Sequence, residues 1–356
     1  MEFYKKERVI NMEKVLLGMS GGVDSSVAAI LLQKEGYEVV GCTMKLCEPE
    51  GKNEKAIEEA KKVCDKLGIK HYIFDYKKEF KLNVIENFIK EYEKARTPNP
   101  CVECNKYLKF GLLYEKAVEL GCKYIATGHY AKIEFSEKYN QYVLKKSDEE
   151  NKDQTYFLYT IPKHKIENIL FPLQNLKEKS DTRKIAEEVG LEIATKKDSQ
   201  EICFVPNDDY KEFLSSYIKS ESGNIVLKNG EKLGKHNGIT NYTIGQRKGL
   251  GISYKEPLYV LELNKENNEV VVGKEEELYT TELYAENLNW FLFDKLEQEI
   301  ECYAKVRYRA KPAKAKIIPL KSNIKVEFAE PQRAITKGQS VVFYIDDILL
   351  GGGKII

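Results

Sequence analysis

No stretch of the 356-residue chain approaches the ~18 consecutive apolar residues that span a bilayer. An excess of one charge is also missing: 57 Lys and Arg stand against 56 Asp and Glu, a net of +1. That excludes a globally basic coat for nucleic acid, though not a local patch. The start, Met1-Glu2-Phe3-Tyr4-Lys5-Lys6-Glu7-Arg8, lacks the apolar core of a secretory signal. The leading eleven residues read as an extension before the first apolar run. The expected location is the cytoplasm, with no membrane partner. Eight cysteines should then be reduced unless catalytic, metal-bound or redox-active. There is no internal repeat and no low-complexity linker. Hydrophobic residues make up 42% of the chain and charged residues 32%, which suits a folded core and excludes a disordered chain. The length suggests two or three domains.

The first half alternates strand-like and helix-like patterns. Val15-Leu16-Leu17 is a short apolar run ending in glycine, and a helix follows with Val27, Ile30 and Leu31 on one face. Further strands are expected at 38–44, 71–75 and 124–128, and helices near 54–67, 82–92 and 108–120. This alternation implies βαβ units, hence an α/β fold with a parallel sheet. Ligands bind such sheets at the carboxyl ends of the strands. The pattern changes near Pro206. A short helix at 210–217 leads into a β-leaning stretch with the hairpin-type dipeptides Asn229-Gly230 and Asn237-Gly238. From about Thr281 short alternating runs at 302–309, 315–319, 324–328 and 340–344 suggest a small antiparallel β-barrel. The expected division is 1–208, a catalytic domain, 209–279, a small central domain, and 280–356, the C-terminal barrel.

Gly18-Met19-Ser20-Gly21-Gly22-Val23-Asp24-Ser25-Ser26 lies between the first strand and the first helix. Glycines admit an anion close to the backbone, and the helix start offers N–H groups and a positive dipole end. A Ser/Asp-capped helix after a tight turn is the plainer reading. No Lys follows the glycines, so this is not a Walker A loop. The string S-G-G-x-D-S resembles the pyrophosphate loop of the N-type ATP pyrophosphatases, which split ATP into AMP and pyrophosphate. Asp24 then reads as an anchor for Mg²⁺ on the pyrophosphate.

Cys101-Val102-Glu103-Cys104 follows Arg96-Thr97-Pro98-Asn99-Pro100, where two prolines favour a helix start. A thiol at a helix start is expected to be nucleophilic. With no second CxxC and no HxxxH, a four-ligand zinc site would need distant partners. Cys203 follows a polar run, Asp198-Ser199-Gln200-Glu201, which suggests a loop at a site. Cys42, Cys47, Cys64, Cys122 and Cys302 read as packing residues.

Ordered strings along nearly the whole chain then point further. They include Gly18–Ser26, Thr97-Pro98-Asn99-Pro100, Cys104-Asn105, 126–131 (ATGHYA), 152–158 (KDQTYFL), 197–204 (KDSQEICF), 243–249 (TIGQRKG) and 305–309 (KVRYR). On these the chain resembles the tRNA-specific 2-thiouridylase family, which places sulfur on the wobble uridine of certain tRNAs. The resemblance implies three domains: a pyrophosphatase domain, a small central domain and a C-terminal β-barrel. It also implies that Gly18, Met19, Ser20, Gly21, Gly22, Val23, Asp24, Ser25, Met44 and Gly128 contact ATP. Cys104 would be the nucleophile and Cys203 the persulfide carrier. Asn99, Pro100 and Cys101 would border the target base. His129, Lys152, Asp153, Gln154, Tyr308, Arg309 and Gln339 would touch tRNA. Many family members carry Asp where this chain has Cys101, and that Asp is assigned acid/base work. A thiol titrates near ~8.5 and a carboxyl near ~4, so Cys101 does not replace it in kind.

This chemistry suits the residues. Uracil O2 is a poor leaving group, and adenylation makes it AMP, with Mg²⁺ and loop N–H groups balancing the charge. A persulfide on Cys203 attacks, or releases sulfide that attacks, and Cys104 resolving the persulfide would leave a Cys104–Cys203 disulfide to be reduced. A sulfur-donor protein is implied. The alternative is a [4Fe–4S] cluster on Cys101, Cys104 and Cys203 with an open iron. The target base must also leave the anticodon stack.

Residues 301–316 hold six Lys or Arg and one Glu. Lys305, Arg307, Arg309 and Lys311 alternate with Val306, Tyr308 and Ala310, which on a strand places four cations on one face. The stripe reads either as a solvated barrel face or, beside an RNA-modifying signature, as a phosphate contact. Argininosuccinate or NAD synthetases would share the loop without needing Cys104 and Cys203. GMP synthetase would bring a glutaminase domain that is not found. A non-catalytic RNA-binding protein would need no pyrophosphate loop.

Overall fold

The computed structural model describes residues 12–47, 52–176, 179–191 and 202–356. The leading eleven residues and Lys197–Glu201 of the cysteine string lie outside the described residues.

A five-stranded parallel sheet forms the first layer, in the order β3-β2-β1-β4-β7. Its strands are β1 (Lys14–Gly18), β2 (Glu38–Lys45), β3 (Lys70–Asp75), β4 (Tyr124–Ala126) and β7 (Ile169–Leu170). Apolar runs such as Val15-Leu16-Leu17 and Val39-Val40 are buried on both faces, as a helix-covered parallel sheet requires. Helix α1 (Val23–Lys34) packs Val27, Ala28 and Leu32 into one core, and α2 (Lys52–Leu67) adds Ala60 and Val63. The chain runs β1 to β2 to β3 on one side, then returns to pair β4 with the other side of β1. That reversal opens a crevice at the carboxyl ends of β1 and β4.

Two helices at this edge carry a wide, π-type turn in mid-course. One runs over 77–93, with the wide turn at Lys81–Ile85. The other begins earlier than its periodicity suggests, at Pro100–Cys104, widens over Asn105–Leu112 and resumes at Leu113–Glu119. Such turns recur at functional sites.

A hairpin that the sequence reading missed follows β4: β5 (Lys132–Ser136) and β6 (Gln141–Lys145), turning at Asn140 with φ +50°. The central unit pairs β10 (Tyr259–Asn264), β11 (Glu269–Gly273), β8 (Gly223–Leu227) and β9 (Lys232–His236). Asn229-Gly230 makes the expected β8–β9 hairpin. Asn237-Gly238 does not: it leads from β9 into the 3-10 turn Ile239–Asn241.

The C-terminal strands close a six-stranded antiparallel barrel. Its members are β12 (Tyr279–Trp290), β15 (Ile324–Arg333), β14 (Ala313–Pro319), β13 (Ile300–Lys305), β16 (Ser340–Ile345) and β17 (Ile348–Ile355), and β17 pairs back to β12. The expected strand at 302–309 is corrected: β13 ends at Lys305, and a turn follows. The four cations therefore do not share a strand face. Arg307 folds back to donate to the Arg333 carbonyl at 2.8 Å. Arg309 and Lys311 stay exposed.

The barrel is fused to the first domain. β17 continues into β6 through Ile348 and Lys145. Phe291, Val342, Tyr344 and Leu349 of the barrel share one core with Leu16, Ile125, Tyr156 and Phe171. Glu91, nearly buried, holds Lys354 of the last strand at 3.0 Å.

Candidate active site

β1 delivers the chain to Gly18, and the Met19 N–H donates to the Cys42 carbonyl at 2.7 Å. Gly21 turns with φ +68°, and a Cβ there would stand 2.7 Å from the Ala56 carbonyl oxygen. Ser25 Oγ accepts from the Ser20 N–H at 3.2 Å and bonds the Gly22 carbonyl at 3.1 Å. Ser26 Oγ bonds the same carbonyl at 2.9 Å. These bonds fix the loop as a turn over the start of α1. Its N-cap, Gly22, supplies no capping side chain, so the plainer reading of a Ser/Asp-capped helix is corrected. The first-turn amides and the dipole end face the loop, the arrangement that accepts phosphate. Gly128 closes over it: a Cβ at Gly128 would lie 2.9 Å from the Ser25 nitrogen and 3.0 Å from the Asp24 carbonyl carbon. Met44, at the same edge of β2, pairs across to Phe74 of β3. The structure thus gathers at one sheet edge all the residues expected to hold ATP.

Asp24 points to the second segment of the site. Its Oδ1 accepts from Tyr130 Oη at 2.8 Å, and Lys152 Nζ donates to that phenol oxygen at 3.2 Å. Lys152 also sits 4.4 Å from the Tyr130 ring centroid, a cation–π contact. Gln154 exchanges two bonds with the Tyr130 backbone, each at 2.9 Å. The donor set fits Mg²⁺ held mostly by phosphate and water: one carboxylate beside serine hydroxyls. Among the described residues no group of three His, Cys, Asp or Glu is arranged to hold a metal.

The thiols meet at the next helix start. Asn99 caps it, accepting the Cys101 N–H at 3.2 Å, and Pro100 occupies the first turn. Cys101, Cys104 and Cys203 act electrostatically on one another. Burial pushes the Cys104 thiol up to about 11 and the Lys109 ammonium works against it, while the Cys101 side chain is exposed. At Cys104 loss of water thus works against the thiolate that a helix start would favour. The Cys203 thiol is also raised, by its hydrogen bond to the Cys47 side chain first and then by burial. As arranged, Cys101, Cys104 and Cys203 do not form a metal-ligand set, and no step is routed through an iron–sulfur cluster. All eight cysteines are thiols.

The residues expected to touch tRNA divide by burial. Lys152, Tyr308 and Gln339 are partly exposed and Arg309 is exposed. Tyr308 packs tilted against Phe157, centroids 4.5 Å apart and planes at 41°. Gln339 of the barrel donates to the carbonyls of Thr97 and Pro98 at 2.8 and 3.3 Å. It therefore clamps the segment leading to Asn99 and Cys101. Asp153 is 4% exposed, and Thr155 and the Ser147 N–H take its carboxylate. His129 is buried, bonded to Thr127 Oγ1 at 2.7 Å and to Lys109 Nζ at 3.4 Å. Burial and Lys109 hold its imidazole well below the usual range, hence neutral. Asp153 and His129 shape the site from within.

Three contributors escaped the sequence reading: Tyr130, Lys109 and Cys47. Tyr130 lies inside a quoted string but carried no role. Lys109 sits one helical turn beyond Cys104–Asn105, an i, i+4 signal from Asn105 that was legible in principle. Cys47 carried no local signal.

Comparison with known proteins agrees with this geometry. Residues 13–207 match the tRNA methyl transferase HUP domain family, 211–274 the tRNA methyl transferase PRC-barrel domain and 280–355 the aminomethyltransferase beta-barrel domain. A tRNA-specific 2-thiouridylase of Clostridium botulinum (strain Alaska E43 / Type E3) is 52% identical over 97% of this chain and 98% of its own. The chain belongs to the tRNA-specific 2-thiouridylase family. A relative of that name from Clostridium beijerinckii is 49% identical, covering 96% of this chain and 98% of its own. Another, from Clostridium tetani, matches with the same identity and the same coverage.

Proposed function

We propose that this chain uses ATP to replace O2 of a tRNA wobble uridine with sulfur. What supports the proposal is a phosphate-type loop, 18–25, over a helix start that no side chain caps, together with a cluster of thiols in which Cys104 acts on Cys203. The family relationship sets the reaction class. The division into 1–208, 209–279 and 280–356 belongs to the same reading.

The loop amides and Ser20 and Ser25 hold the phosphates, and Gly128 admits the nucleotide against the helix start. Asp24, oriented by Tyr130, anchors Mg²⁺, which when bound neutralises pyrophosphate charge. Asn99, Pro100 and Cys101 border the flipped base. Lys152, Tyr308 and Arg309 hold the RNA, and Gln339 sets the position of the base-bordering segment. Cys203 receives sulfur as a persulfide from a donor protein. Its outer sulfur attacks C2, AMP leaves, and Cys104 attacks Cys203 Sγ to free the thiocarbonyl. One disulfide remains for a reductant.

The deciding assay measures tRNA-stimulated AMP and pyrophosphate release, with mass spectrometry of the wobble uridine. Iron-free protein supplied with a persulfide donor should thiolate tRNA. ATP cleavage indifferent to tRNA would reject the substrate.

A further inference from the structure

The cysteine nearest Cys203 along the contacts is one the mechanism above leaves unused. Cys47 lies two residues past β2. Its Sγ approaches the Cys203 carbonyl oxygen at 3.9 Å, and among the neighbours of the Cys203 thiol the Cys47 side chain does most to raise it. Cys47 packs on the wall formed by Phe80, Phe88 and Phe204, and Cys203 lies between Ile202 and Phe204 of that wall in the chain. Cys47 and Cys104 each pack on that aromatic cluster, together with Met44, Leu46 and Ile202.

The position of Cys47 is held. Asn53, at the start of α2, donates its side-chain amide to the Cys47 carbonyl and accepts the Leu46 N–H at 3.4 Å. The remaining cysteines differ. Cys42, Cys64, Cys122 and Cys302 are fully buried. Cys42 is spent on the Leu17 carbonyl, and Cys302 lies in the barrel core. Cys47 is half-buried and its Sγ reaches the exposed Cys203.

We propose that Cys47 is a second resolving thiol for Cys203. This rests on the reading that Cys203 carries the persulfide. The Cys47 thiolate attacks Cys203 Sγ and forms the Cys47–Cys203 bond. The bond between Cys203 Sγ and the outer sulfur breaks, and its electron pair leaves as hydrosulfide. The Cys47 sulfur is oxidised and the outer sulfur is reduced, while Cys203 Sγ exchanges one sulfur partner for another, so no external oxidant is consumed. The Cys47 proton passes to solvent. A dithiol reductant then returns both thiols, as in ordinary thiol–disulfide exchange. The persulfide itself comes from a persulfide donor. The consequence is a site that discharges an idle persulfide as free sulfide without committing Cys104. Burial of Cys104, which disfavours its thiolate, leaves room for such a competitor.

The test uses the full chain under anaerobic conditions, with Cys101→Ser and Cys104→Ser to remove the other partners. Glutathione persulfide is the probe, without ATP or tRNA. Three quantities are read: sulfur added to the Cys203 peptide, sulfide released, and disulfide-linked peptides on a non-reducing map. The expected result is one sulfide per chain and a linked 47–203 peptide. Adding Cys47→Ser, or Cys47→Ala as a second replacement, abolishes both and leaves the persulfide on Cys203. A Cys203 persulfide that persists with Cys47 present overturns the inference and leaves the persulfide reading intact. Absence of added sulfur on Cys203 when Cys47, Cys101 and Cys104 are all replaced by Ser rejects that parent reading, and the inference falls with it.

Discussion

Tyr130 donates its phenol to Asp24 at 2.8 Å across 106 residues of sequence, joining the phosphate loop to the segment that carries Lys152 and Gln154. The phosphate-type loop and the segment proposed to hold RNA thus share one hydrogen-bonded chain, Asp24–Tyr130–Lys152. A carboxylate held this way keeps a single rotamer, which is what a metal anchor needs.

Asp24→Ala should abolish AMP formation while leaving the melting transition in place. Tyr130→Phe should lower adenylation about ten-fold, since a hydrogen bond to a charged group contributes roughly 1.5–3 kcal/mol and 1.4 kcal/mol is a factor of ten. Pyrophosphate release measures both. Full adenylation by folded Asp24→Ala protein would remove Asp24 from the mechanism.

Arg309 is exposed on the turn after β13, with its neighbour Arg307 bonded back to the barrel. Arg309→Ala should weaken tRNA binding and reduce the log–log salt slope by about one, the share of one phosphate contact. ATP binding should not change. Arg307→Ala should instead loosen the turn. Filter binding across a salt series distinguishes them, and an unaltered slope would leave Arg309 a solvated charge.

Cys104 should behave as a thiol pushed up to about 11 by burial. Because the neutral form is favoured, its thiolate fraction should rise about ten-fold per pH unit from 7 to 10. Iodoacetamide alkylation of Cys104, followed by peptide mass spectrometry, should climb through pH 8.5 without levelling. Lys109 pulls the other way, so Lys109→Met should slow alkylation further at pH 8. A plateau near 8.5 would mean that burial does not control this sulfur.

Glu91 ties the catalytic domain to the barrel. Its side chain is 6% exposed and that of its partner Lys354 15%, with Arg96 bridging onward to Glu286 at 3.8 Å. Glu91→Ala strands a largely buried ammonium and should cost about 3 kcal/mol. Urea unfolding measures the loss. A change below about 0.5 kcal/mol would show that the pair contributes no more than a surface ion pair.

The parallel sheet, the phosphate loop and the barrel were legible because each rests on local pattern. Val15–Gly18 followed by glycine and serine specifies strand, turn and helix within a few residues, and the structure has all three. The β5–β6 hairpin was not read. Its alternation at Lys132–Phe135 is short, and its turn residue Asn140 is a weaker signal than Asn-Gly. The cationic alternation at 305–311 misled, since period two looks the same in a turn as in a strand until its neighbours are known. Arg307 shows the difference by bonding to Arg333 rather than lying in a ladder.

The sequence by itself determined which chemistry is present: a glycine-serine loop for phosphate, and cysteines set among prolines and polar residues. Those properties depend on residue type and spacing within one turn of chain. Only the tertiary structure decided which groups act on one another. It set Cys47 beside Cys203 across 156 residues, Lys109 against His129, and Gln339 of the barrel onto Thr97. It also pushed the Cys104 thiol up where a helix start alone would lower it. The physical reason is that desolvation and long-range contact depend on what packs around a side chain, and no local pattern records that.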